Sequence, residues 1–234
     1  MVAEGDHLEI GSLLFEGLDQ IDLTGPFEVL SRLPNSTLRL YGKTLAPVRD
    51  VRGLRLTPDA TLAEAPQLDV LHIPGGFGQE ALMDDAETLG WIARQAAGAR
   101  CIFSVCTGAL LCGAAGLLKG RRATTHWSAH HLLPFFGAVP VDARVVVDGN
   151  LVCAAGVTAG IDGALRVAAT LRGDDAARAI QLFIQYAPEP PFDSGSPATA
   201  PAHVLEETRR AVETITRQRE ATARRVAQRL GIPV

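Results

Sequence analysis

Residues 104–118 read SVCTGALLCGAAGLL. An apolar run ends at Val105, Cys106 follows, and Thr107-Gly108 opens a stretch of Ala, Leu and Gly. A thiol between a strand and a helix sits on a sharp turn, with the first amides of the helix aimed at whatever it attacks. The positive end of the helix favours an anion. Such surroundings lower a cysteine pKa from ~8.5 into the range of roughly 3.5–7.5. The chemistry on offer at Cys106 is nucleophilic attack by a thiolate. The competing reading is a buried structural cysteine, and position alone leaves both open. Cys101 at a strand start, Cys112 within a helix and Cys153 in a strand read as core thiols.

Two other segments end apolar strands and could converge on Cys106. One is IPGGFG, residues 73–78, whose glycines let backbone amides approach a reacting atom. Alone it reads as a turn. The other is QIDLTGPFEVL, residues 20–30, where Asp22 lies just ahead of an expected helix. As a helix cap Asp22 needs no further role. As a neighbour of Cys106 it could give or take a proton, provided burial or a nearby thiolate raises its pKa.

No metal is expected. His126 and His130 are four apart, but no Glu stands between them as the HExxH pattern requires, and the cysteines lack paired CxxC spacing. GKT at residues 42–44 is an incomplete phosphate loop, because Thr37 occupies the place of its first glycine. No GxGxxG dinucleotide pattern is present.

The elements that must position these residues alternate. Strands are expected at 8–15, 37–41, 68–73, 100–105, 143–147 and 151–154, with short ones at 48–51, 54–56 and 122–125. Asp148-Gly149-Asn150 marks a hairpin. Helices are expected at 24–33, with Thr24 or Gly25 near the cap, and at 87–97, 107–118, 128–135, 160–171, 175–186 and 202–230. This pattern predicts a three-layer α/β/α sandwich, flavodoxin-like, with a mostly parallel central sheet and a nucleophile elbow after a central strand. Residues 1–201 form the α/β domain, and residues 202–234 a C-terminal helix packed on it as a cover or dimer element, with Leu205, Val212, Ile215 and Val226 as its apolar stripe.

The 234 residues suffice for a core without disulfides or structural metal. The net charge of −4 gives no reason to expect nucleic-acid binding. The N-terminus is acidic where a signal peptide is basic, and no run of ~20 apolar residues suggests a membrane span. Four cysteines in apolar segments fit free thiols in the cytoplasm.

Taken together, residues 21–30, DVLHIPGG at 69–76, residues 104–127, AGVTAGIDGAL at 155–165 and the Pro/Ser-rich residues 186–201 resemble the ThiJ/PfpI superfamily of class I glutamine amidotransferase-like folds. Their order is especially similar to that of isocyanide hydratases. The resemblance implies Cys106 as nucleophile and Asp22 as the acid beside it, where most of the superfamily has glutamate. It places the backbone amides of Gly76 and Thr107 facing the cysteine. It implies a cytoplasmic homodimer, no cofactor, and an organic isocyanide as substrate, hydrated to the N-substituted formamide through a Cys106 thioimidate. Val157 stands where isoleucine is expected, which alters pocket packing.

Three rivals remain. An AraC-type regulator needs about 100 further residues for DNA binding, and residues 202–234 interleave their basic side chains with glutamates. A glyoxalase-like or peptidase-like member of the superfamily is the second, although Thr107 stands where the peptidase-like branch has histidine. A redox sensor oxidised without turnover is the third.

Overall fold

A computed structural model describes residues 6–233. In chain order the strands are β1 (Leu8–Leu13), β2 (Ser36–Gly42), β3 (Val48–Arg49), β4 (Arg55–Leu56), β5 (Ala60–Thr61), β6 (Val70–Ile73), β7 (Cys101–Val105), β8 (Arg122–Ala123), β9 (Val139–Pro140), β10 (Val145–Asp148) and β11 (Leu151–Ala154). The α-helices are α1 (Gln20–Leu30), α2 (Gln79–Leu82), α3 (Ala86–Gly98), α4 (Gly108–Ala114), α5 (Ala159–Arg172), α6 (Asp174–Phe183) and α7 (Ala202–Leu230).

Seven strands form one sheet in the order β10-β11-β7-β6-β1-β2-β5. Every pairing in it is parallel except β10 with β11, which turn back on each other through Gly149 at φ +58°. The central strands β6 and β7 are buried throughout, so both of their faces carry core. Alternation sorts their side chains. Val70, Cys101, Phe103 and Val105 point to the layer built on α1, α5 and α6, and Leu71, Ile73 and Ile102 to the layer built on α3, α4 and α7. The chain is therefore a three-layer α/β/α sandwich.

Strand order reverses at β1. Its successor β2 lies on one side and β6 on the other. In such sheets the crevice beyond the carboxyl ends at the reversal is where ligands collect. The connections leaving β1, β6 and β7 open there together.

The short β5, β9 and α2 are additional to the expected elements, α6 stops at Phe183, and three further differences bear on the site. The first helix starts at Gln20 rather than Thr24, because Asp19 is its N-cap and accepts the Ile21 amide at 3.1 Å. Pro26 thus sits inside the helix, and Asp22 in its first turn. The segment expected as an α-helix over 128–135 is 3₁₀-helical from Trp127 to Phe136, with Pro134 withholding a backbone donor. The glycine-rich helix after Cys106 ends at Ala114, and Gly116 at φ +83° follows in a turn.

Candidate active site

Cys106 has φ +56°, a left-handed conformation costing on the order of 1–3 kcal/mol in a residue with a Cβ. Two backbone hydrogen bonds hold it. The Cys106 amide donates to Ala154 O at 3.0 Å, and the Thr125 hydroxyl donates to Cys106 O at 2.7 Å. The turn also needs room. A side chain at Gly108 would collide with the carbonyl of Ile73, and one at Gly75 would lie 2.6 Å from the Thr107 amide. Glycine at both positions lets the ends of β6 and β7 close on each other. Cys106 keeps 7% of its surface exposed.

Asp22 is fully buried. Its Oδ2 accepts the Gly75 amide at 3.0 Å, while Oδ1 has no hydrogen-bond partner of regular geometry among the described residues. The Cys106 thiol lies near enough to the carboxyl for each group to shift the ionisation of the other. Pro26 has no N–H to return to the Asp22 carbonyl, so this turn of α1 lacks one helical bond. His72 Nε2 has no hydrogen-bond partner of regular geometry among the described residues, and the Asp22 backbone lies near enough to affect the ring's ionisation. His72 is itself fixed by Ser12, whose hydroxyl lies 2.8 Å from Nδ1, and by stacking on Phe103 at 5.1 Å.

The other predicted residues gather at the same point. The Gly76 amide donates to Thr107 Oγ1 at 3.2 Å, and the Thr107 hydroxyl lies 3.3 Å from Gly76 O. The Thr107 amide is the one directed at the Cys106 sulfur. Gly75 O accepts the Asp19 amide at 3.0 Å, tying the loop after β6 to the start of α1. Val157 is half-buried at the edge of the hydrophobic cluster that contains Cys106. His126 turns Nδ1 to the Ser128 hydroxyl at 2.8 Å. Among the described residues no group of three or more His, Cys, Asp or Glu is placed to hold a metal ion.

Residues that sequence reasoning passed over complete the site. Arg219 of α7 donates through Nη2 to Gly76 O at 2.7 Å and to Thr107 Oγ1 at 3.4 Å, and through Nε to Gln79 Oε1 at 3.2 Å. A signal for it was present. Thr222, Ala223, Val226 and Ala227 form the buried stripe of α7, and one turn back along that stripe lies Arg219.

Comparison with known proteins agrees with this architecture. Residues 10–170 match the DJ-1/PfpI family. The chain belongs to the DJ-1/PfpI family. It is 51% identical to the isonitrile hydratase of Pseudomonas putida, over 96% of this chain and 99% of that protein. A ThiJ/PfpI family protein from Pseudomonas syringae superimposes with a TM-score of 0.91 at 43% identity, covering 95% of this chain and 93% of its own. The HTH-type transcriptional regulator GbdR of Pseudomonas aeruginosa is 30% identical over 75% of this chain but only 50% of its own.

In this DJ-1/PfpI site burial dominates the ionisable groups. Desolvation, then the charge of Asp19, raises the Asp22 carboxyl to about 7, against the Cys106 thiol, the Gly75 amide and the Arg219 guanidinium. Desolvation and then the Asp22 charge push the Cys106 thiol up, opposed by the Thr107 amide and Arg219. The expected lowering of the thiol by the helix end is outweighed, since α4 has only seven residues and the carboxyl is adjacent. Two adjacent buried acids cannot both ionise freely, so the pair titrates as a unit. His126 is lowered to about 4 by burial and then by Arg219, so its ring is neutral.

Proposed function

We propose that this protein is an isocyanide hydratase, a lyase that adds water to an organic isocyanide and releases the N-substituted formamide. The observation that carries the reading is a thiol on a left-handed turn beside a fully buried carboxyl, in a chain related over nearly its whole length to an isonitrile hydratase. No cofactor enters the scheme. The C-terminal helix is read as part of the same α/β unit.

The pair shares one proton, which passes from the Cys106 sulfur to the Asp22 carboxyl as the sulfur attacks, so that Cys106 reacts as thiolate and Asp22 as acid. The sulfur attacks the terminal carbon of R–N≡C, and Asp22 protonates that carbon to give the thioimidate Cys–S–CH=N–R. Water then adds to the carbon. Asp22 takes a proton from it and passes the proton to nitrogen, leaving Cys–S–CH(OH)–NH–R. Loss of the hydroxyl proton to Asp22 expels the thiolate and frees R–NH–CHO. The pair returns to its starting state. The Thr107 amide holds the sulfur through both halves, Gly76 shapes the opposite wall, and Val157 borders the space for R.

Two further features of the reading have support. Four unpaired cysteines suit a reducing cytoplasm, and no helix among the described residues is long and apolar enough to cross a membrane. Leu182, Phe183 and Phe192 expose 81%, 75% and 78% of their surface, as a homodimer contact would require. Adding cyclohexyl isocyanide and following formamide by chromatography tests the function. Turnover with a transient thioimidate on Cys106 in the mass spectrum is expected. Inactivity on isocyanides together with hydration of a dicarbonyl compound would overturn it.

A further inference from the structure

Arg219 is a buried cation that donates to no carboxylate. It is 3% exposed, and its bonds go to Gly76 O, Gln79 Oε1 and Thr107 Oγ1, all uncharged. Its neighbours on α7 behave otherwise. Arg224 pairs with Glu220, and Arg225 and Arg229 both pair with Asp84. A guanidinium removed from water is costly unless a negative charge compensates it.

The ionisable groups facing Arg219 are few. Glu80 on α2 supplies one negative charge, its carboxylate bonded to the Thr222 hydroxyl and not to the guanidinium. His126, ahead of the 3₁₀ segment, is neutral. Asp19, which bears on Asp22, is spent on capping α1. Cys106 and Asp22 remain, and both feel the guanidinium. Two acids sharing one proton carry one negative charge, which lies against the positive charge of Arg219. A second proton would leave the buried cation with Glu80 alone. Loss of the last proton would set two anions against it.

We propose that Arg219 is a positioning residue acting through this pair, the counter-charge that fixes Cys106 and Asp22 in their one-proton state. It also ties the Gly76 carbonyl and Thr107 hydroxyl across the site. It lies outside the 10–170 segment that defines the family match, so the last helix adds this control. Its effect on rate rests on the hydratase reading, while its effect on the thiol does not.

The test is the pH dependence of Cys106 alkylation by iodoacetamide, read by mass spectrometry for wild type, R219Q and R219K, alongside kcat and KM on cyclohexyl isocyanide. R219Q is expected to move the alkylation midpoint up by about one pH unit or more and to lower kcat about tenfold at pH 7. R219K, which keeps the charge and loses the fork, is expected to stay within about half a unit of wild type. A folded R219Q with the wild-type midpoint overturns the proposal, as does R219K shifting as far as R219Q. If R219Q does not fold, R219K decides. An unmoved midpoint supports the proposal and a rise of about one unit overturns it. If the wild type does not turn over isocyanides, the hydratase reading fails and the alkylation profiles still judge Arg219.

Discussion

Cys106 and the three core thiols are buried alike and placed differently. Cys101, Cys112 and Cys153 lie within regular elements, surrounded by sheet and helix side chains. Burial and the proximity of Cys153 push Cys101 up to about 12, and Cys112 and Cys153 are also raised by burial first. Cys106 is equally desolvated, but it sits on a positive-φ turn against a carboxyl, a backbone amide and a guanidinium. Burial by itself therefore protects a thiol rather than activating it. What separates the two regions is where the proton can go and which charge waits for the anion.

The largest break in that comparison is Cys106→Ala. Turnover is expected to fall by about 10³-fold or more, as for other nucleophile deletions. Initial-rate assays on the isocyanide check it. Retained turnover would make Cys106 a fifth wheel beside the core thiols and end the thiolate scheme.

Asp22→Asn comes next, with kcat expected to fall about 10²-fold. Its stability profile sharpens the comparison. The Asp22 carboxyl is raised in the fold from 3.8 to about 7, so its contribution to stability is complete below pH 3.8 and is lost as the pH rises through about 7. Asparagine removes that loss. In an R219Q background, where no guanidinium needs the charge, urea unfolding at pH 8 is expected to show Asp22→Asn more stable than its parent by about 1–2 kcal/mol, with the gap closing below pH 4. A variant that is less stable at pH 8 would mean that the carboxylate is not penalised by its site.

The smallest effect belongs to Cys153→Ala. The thiol fills core space beside Ser104 on the neighbouring strand, so the variant is expected to lose about 1–2 kcal/mol in denaturant melts while kcat stays within about twofold. A rate loss approaching that of Cys106→Ala would erase the distinction between the two regions.

Much of this was legible from residue order because the determinants are local. Apolar runs ending in Pro-Gly-Gly or Cys-Thr-Gly announce buried strands that stop at tight turns, and β6 and β7 do. The start of α1 was misplaced because Thr24, Gly25 and Pro26 mimic a helix opening, while Asp19, five residues before Thr24, does the capping. Arg219 stayed hidden for another reason. In sequence it is one of many charged residues on a polar helix, and only the docking of α7 onto the loop after β6 takes it out of water. The resting state of the thiol was not legible either. A helix N-terminus is visible in sequence, whereas a carboxyl arriving from 84 positions upstream is visible only in the fold.

The bond from Arg219 to the Gly76 carbonyl spans 143 positions of the chain. During synthesis the sheet and its turn can form long before the ribosome reaches α7. Until that helix docks, the nascent polypeptide carries its sulfur without the positive partner. Docking of α7 is thus what finishes the reactive centre.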